Sequence, residues 1–214
     1  MKRILTLATA LLMGAAATEK ATAQKLSLGV VGSVGHSWTS NVGGDRDFKF
    51  APALGIGMVY SHNQHWGYAS ELMVSHEGFK GDYPIGRGEY DKMTVNPVYL
   101  RMPMHIVYFF GKFGDRVRPK VFAGPTLGLK VDEKQWYSNG NSSERNMENT
   151  DYFRTFDIGI NAGAGANFRL ARKTWLNADL SYTHGLVDAI HDDVNNDHNG
   201  NRNIRGTVGI MWGL

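Results

Sequence analysis

The sequence predicts an all-β fold, an eight-stranded antiparallel up-and-down barrel that crosses a membrane. Three observations carry the prediction. Eight segments alternate apolar and non-apolar residues with period two, the mark of strands with two unlike faces. Their connections alternate between short and long. Their non-apolar faces hold mostly small residues rather than the Lys, Glu and Thr of a water-facing sheet.

The segments run as follows. Leu26 to Gly35 sets Leu26, Leu28, Val30 and Val34 against Ser27, Gly29, Val31 and Ser33. Phe50 to His62 places Leu54, Ile56, Met58 and Tyr60 opposite Ala53, Gly55, Gly57 and Val59. Trp66 to Glu77 sets Tyr68, Leu72 and Val74 opposite Ala69, Glu71 and Ser75. The fourth puts Val98, Leu100, Met102, Met104, Ile106 and Tyr108 on one face, with Tyr99, Arg101, Pro103 and His105 on the other. Lys120 to Val131 separates Val121, Ala123, Leu127 and Leu129 from Lys120, Thr126, Gly128 and Lys130. Phe153 to Leu170 opposes Phe156, Ile158, Ile160 and Phe168 to Asp157, Gly159, Asn161 and Asn167. Thr174 to Leu186 opposes Leu176, Leu180 and Tyr182 to Asn177, Asp179 and Ser181, and Asn203 to Leu214 opposes Ile204, Val208, Ile210, Trp212 and Leu214 to Arg205, Thr207 and Met211.

Residues 37 to 49, 78 to 91, 132 to 151 and 187 to 202 are expected to be long polar loops, and 63 to 64, 111 to 116 and 171 to 173 short turns. With the N-terminus on the periplasmic side, every long loop falls outside the cell, as in outer-membrane barrels. Length agrees: Val98 to Tyr108, tilted, rises about 25 Å, the height of a lipid-facing band. Trp66, Tyr68, Tyr108, Tyr182 and Trp212 stand near strand ends, where aromatic girdles belong. A soluble barrel of the lipocalin kind would turn the apolar face inwards, and the small residues of the polar faces argue against it.

Residues 1–23 read as a secretory signal peptide and 24–214 as the barrel domain: Lys2 and Arg3 precede an apolar stretch from Ile4 to Ala17, and Ala21-Thr22-Ala23 is a cleavage site. That 14-residue stretch is too short for a spanning helix. Without the leader the chain carries 20 basic and 19 acidic side chains, so no field for nucleic acid remains. The absence of cysteine excludes disulfides and thiol catalysis.

The chain resembles the PorT-like outer-membrane β-barrel family. The resemblance rests on ELMVSHEGFK (Glu71 to Lys80), NPVYLRMPMHIVYFF (Asn96 to Phe110), DIGINAGAGANF (Asp157 to Phe168) and ADLSYTHGLVDAI (Ala178 to Ile190). It implies an eight-stranded outer-membrane barrel and supplies no catalytic residues. One departure is the last residue, Leu214, where such barrels commonly end on an aromatic; Trp212 shares its face.

Among candidate sites, Glu71, Arg101, Asp157, Asp179 and Arg205 are expected to meet in the lumen as a structural network of ion pairs, Arg101 with Glu71 or Asp157, because unpaired charge in a confined interior is costly. Ser181 and His184 lie at odd spacing, on opposite strand faces, which opposes the alternative of a lipid-modifying acyl hydrolase. Asp192 to Gly200 resembles the start of a calcium loop but has His198 where the loop needs glycine. His62, His65, His191 and His198 lack a third ligand at useful spacing for zinc, and His36 and His76 read as interfacial. Trp136 and Tyr137, in the longest loop, are the candidate binding residues. The reading is a non-catalytic monomer without cofactor or metal, in contact with outer-membrane lipid, its loops open to an extracellular protein or glycan. A soluble periplasmic ligand-binding barrel is the other alternative.

Overall fold

The computed structural model describes residues 26–41, 47–86, 89–139, 143–147, 152–191 and 199–214. The signal segment and most of the calcium-like stretch lie outside them. Ten strands follow in chain order: β1 (Leu26–Thr39), β2 (Ala53–Ser61), β3 (Trp66–His76), β4 (Phe79–Gly86), β5 (Glu89–Phe109), β6 (Val117–Asn139), β7 (Ser143–Met147), β8 (Phe156–Arg169), β9 (Thr174–Gly185) and β10 (Asn201–Gly213). All pairings are antiparallel. β1, β2, β3, β5, β6, β8, β9 and β10 pair in that order, and β10 returns to β1, closing an eight-stranded barrel. The remaining two, β4 and β7, extend hairpins from β5 and β6 beyond one end of the barrel.

The facing of side chains follows the period-two pattern. Along β10, Asn201, Asn203, Arg205, Thr207 and Met211 are buried, whereas Ile204, Val208 and Trp212 are about half exposed. Every barrel strand repeats this arrangement, with Leu54, Val74, Ile106, Val121, Ile160 and Leu180 outside. A shell of exposed branched aliphatics around a polar interior is the inverse of a water-soluble barrel and matches hydrocarbon. At the end with short turns, Trp66, Tyr108 and Phe110 form an edge-on aromatic chain with ring centroids 5.0 and 5.1 Å apart. The turns are locally determined: Asn63 Oδ1 accepts from the backbone N–H of His65 and Trp66, and Asp115 Oδ2 accepts from Lys112 N–H.

Two expected loops are strands instead. Residues 78 to 91 contain β4 and the start of β5, and residues 132 to 151 contain the last third of β6 and β7. Their sequences lack alternation because this sheet stands above the lipid, where an outward residue gains nothing by being apolar. A bulge hides them further. Val98 pairs with Asp132 but Tyr99 pairs with Lys130, so the alternation of β6 loses phase at Val131. Trp136 therefore sits within β6, half-buried and paired with Thr94 and Asn146, rather than on a loop. The side chain of Tyr137 lies outside the described residues.

Between β3 and β4 the chain breaks at Gly78, φ +99°, where an added Cβ would lie 2.2 Å from the Val95 carbonyl oxygen. Both the left-handed conformation and the close approach demand glycine. Gly78→Ala is expected to cost about 1–3 kcal/mol, read as a lower urea midpoint for unfolding from lipid vesicles.

Candidate functional site

The lumen is built from charged residues that the alternation of six strands turns inwards. At its centre the Arg101 guanidinium, on β5, grips two carboxylates. Its Nε donates to Glu77 Oε1 at 3.0 Å, Nη2 donates to Glu77 Oε2, and Nη1 donates to Asp157 Oδ2 at 2.6 Å. All three side chains are at most 3% exposed. Glu77 also accepts from Ser75 Oγ at 2.9 Å, and Arg205 Nη2 reaches Ser75 Oγ at 2.7 Å. The planar fork of arginine grips one acid through two parallel donors and still holds a second, a bidentate geometry that a lysine ammonium lacks.

Of the five residues expected in the lumen, Arg101, Asp157 and Arg205 thus lie in one cluster around Glu77. Asp179 lies in a second, bonded by Lys120 Nζ at 2.9 Å. Glu71 makes no hydrogen bond or ion pair among the described residues and lines the cavity between them, so Arg101 meets Asp157 and Glu77 rather than Glu71. Glu77 and Lys120 are the members that sequence reasoning left out. The signal was present: Glu77 continues the inward parity of Glu71 and Ser75, and Lys120 that of Thr126 and Gly128.

Between the clusters lies a cavity with about 40 Å³ open to the centres of water molecules, space for a few waters and no organic ligand. His105 Nε2 and Asn161 Oδ1 meet at 2.7 Å on its wall, and Asn161 in turn donates to Thr183 Oγ1 at 2.8 Å.

Described side chains crowd both ends of the lumen. At the extracellular end an apolar cork of Phe79, Met93, Val95, Phe153 and Ile190 packs above the ion pairs. Beside it Glu133 accepts from the N–H groups of Tyr152 and Phe153 at 2.9 and 3.0 Å and pairs with Lys130 at 2.8 Å. At the periplasmic end the Arg118 guanidinium lies 4.2 Å from the Phe109 ring centroid and 5.0 Å from that of Phe113, and donates to the Gln64 carbonyl.

Outside the lipid band, Lys92 pairs with Asp82 at 2.7 Å and Asp47 at 2.9 Å. These bonds, Asp82's first, raise the lysine, and the bond from Lys92 holds the Asp47 carboxyl below its ordinary value. Lys49, in the connection above β2, is 9% exposed and donates to Asn96 Oδ1 at 2.7 Å. Burial pushes it down to about 8, against a smaller upward pull from Glu77. Folding then binds fewer protons than the unfolded chain between the lowered value and the usual 10.5. The penalty of a buried cation is fully present below pH 8 and is relieved above it. Stability is expected to rise by about 2 kcal/mol across that window. Urea unfolding at about pH 7.5 and about pH 10 measures the rise, and Lys49→Met removes it.

The serine and histidine of a hydrolase pair do not meet. Ser181 lines the cavity, whereas His184 points outwards and meets Tyr182 Oη at 3.3 Å, so the two cannot exchange a proton. Among the described residues no three His, Cys, Asp or Glu side chains gather as metal ligands. His65 bonds the Phe109 carbonyl through Nδ1 at 2.9 Å, and His36 accepts the Lys49 N–H at 3.1 Å.

The fold recurs in solved structures. A major outer membrane protein from Thermus thermophilus is 11% identical, with a TM-score of 0.53 over 88% of this chain and 99% of that one. The outer membrane protein OprG from Pseudomonas aeruginosa is 10% identical, with a TM-score of 0.50 over 88% and 95%. Neisserial surface protein A is 14% identical, with a TM-score of 0.47 over 92% and 100%. No curated protein matches the sequence. A family model described as "Outer membrane protein beta-barrel domain" matches residues 22–191, from the residues before β1 to the end of the described stretch after β9. With a closed eight-stranded barrel, a lipid-facing apolar shell and that match, the chain belongs to the outer membrane protein beta-barrel domain family and resides in the outer membrane.

Proposed function

We propose that this protein is a non-conducting, non-catalytic barrel of the PorT-like branch, with a structural or interaction role that its extracellular hairpins carry. The observation behind the reading is the contrast between its two regions. Among the described residues the lumen holds ion pairs between an apolar cork and a stacked arginine, and its cavity has space for only a few waters, which favours a non-conducting barrel. Past the lipid band, β4, β7 and the upper parts of β5 and β6 form a four-stranded sheet that the barrel does not need for closure, and Phe79, Met93 and Val95 on it contribute to the cork. A rigid platform projecting past the lipid is suited to holding a protein or glycan partner. Trp136, half-buried in that sheet, is the side chain most suited to stacking on a sugar or apolar surface.

Two measurements test the parts separately. Planar-bilayer recording is expected to show no steady current, and a stable ion-selective conductance would overturn the non-conducting reading. Photo-crosslinking in intact cells, with a reactive residue at Trp136 or Asp132, is expected to trap a discrete partner. Its absence at both positions would remove the interaction role.

A further inference from the structure

The lipid-facing surface carries one feature that closure of the barrel does not explain. Arg202 stands on β10 in the outward row that continues through Ile204, Val208, Ile210 and Trp212. Its cross-strand neighbours are Trp38 on β1 and His184 on β9. It is half-buried among them, its Nε is shielded from solvent, and among the described residues it makes no hydrogen bond or ion pair. Trp38 approaches Tyr182 with ring centroids 6.2 Å apart, and His36 stacks between Trp38 and Phe48 at 5.1 and 5.0 Å. An arginine with no internal partner among the described residues therefore stands in an aromatic belt on the outside of the barrel.

Its height says what it faces. Ten residues of tilted strand separate Arg202 from Trp212, and they rise about 25 Å, the full lipid-facing band. With Trp212 at the periplasmic interface, Arg202 falls at the extracellular one, level with lipid headgroups. A guanidinium there escapes the cost of hydrocarbon and can form paired, charge-assisted hydrogen bonds to phosphate.

We propose that Arg202, flanked by Trp38 and His184, is a binding site for the phosphate of an outer-leaflet lipid. The aromatic neighbours line the path of its acyl chains, and the guanidinium holds its head. The site is independent of whatever the hairpins bind.

The test uses the full chain refolded into phosphatidylcholine vesicles containing diphosphoryl lipid A, extracted in mild detergent and weighed by native mass spectrometry. Wild type is expected to retain lipid A, and Arg202→Gln to retain about tenfold less, as loss of one charge-assisted contact implies. Lys134→Gln, which removes an exposed cation on β6, is expected to change nothing. Lipid A stripped of its phosphates should lose retention on wild type to the same degree, which keeps the test decisive if Arg202→Gln does not fold. Equal retention by wild type and Arg202→Gln, an equal loss with Lys134→Gln, or indifference to phosphate removal would each overturn the site. Displacement by millimolar inorganic phosphate would show a free-anion site instead, against the lipid proposed.

Discussion

Arg101→Met should destabilise the barrel by about 3–5 kcal/mol, because it strands two acids in the lumen. Glu77 would lose the two donors that grip it and Asp157 the one that bonds its Oδ2. Arg205 keeps its ion pair with Glu77 Oε1 at 3.5 Å, but it also bonds Ser75 and does not reach Asp157, so it offsets only part of the loss. The urea midpoint in lipid vesicles should fall, and the heat-modified band on gels should appear at lower temperature. The triple variant Glu77→Gln, Arg101→Met, Asp157→Asn should recover most of the loss, since replacing all members of a buried network removes the desolvation cost together with the attraction. If Arg101→Met alone stays within about 1 kcal/mol of wild type, water reaches the pair and the cork does not seal the lumen.

Leu180→Arg tests the other face. Leu180 lies near the middle of β9 and is 62% exposed. In a water-soluble barrel, an exposed leucine replaced by arginine changes stability by no more than about 0.5 kcal/mol. At the centre of a lipid-facing strand the same change costs about 2–4 kcal/mol. Unfolding in vesicles should show the larger loss. A negligible change would place β9 away from hydrocarbon and undo the orientation of the whole barrel.

Alternation carried most of the fold into the sequence, because a membrane imposes opposite chemistry on the two faces of each strand. Arg101 and His105 could be placed inside from their parity with Tyr99 and Pro103 alone. Legibility ended where the membrane ends. In β4 and in the upper parts of β5 and β6 the inward face still packs, through Phe79, Met93, Val95 and Gln135, but the outward face meets water instead of lipid, so GDYP and DEKQ read as loops although they are paired strands. For the lumen, parity showed which residues point inwards but not which of them meet. Partnerships depend on strand order and stagger, so Asp157 came within reach of Arg101 while Glu71, equally inward, did not. Glu77 escaped notice because Gly78 ends the alternating run beside it.

The seam between β1 and β10 has a consequence for how the molecule is made. Its paired residues run from Ser27↔Gly213 to Thr39↔Asn201, so the partners stand at opposite ends of the chain. Every other barrel pairing joins strands adjacent in the circuit of the chain, and can form as that part of the polypeptide becomes available. The seam alone requires the whole circuit to be laid down first, the slowest kind of contact to form. Until it zips, the nascent sheet offers two raw edges to any passing strand. Gly29 shows how little slack the joint has: an added Cβ would lie 1.9 Å from the Ile210 carbonyl oxygen. A side chain there would jam the last step of assembly and leave the other seven joints formed around an unclosed ribbon.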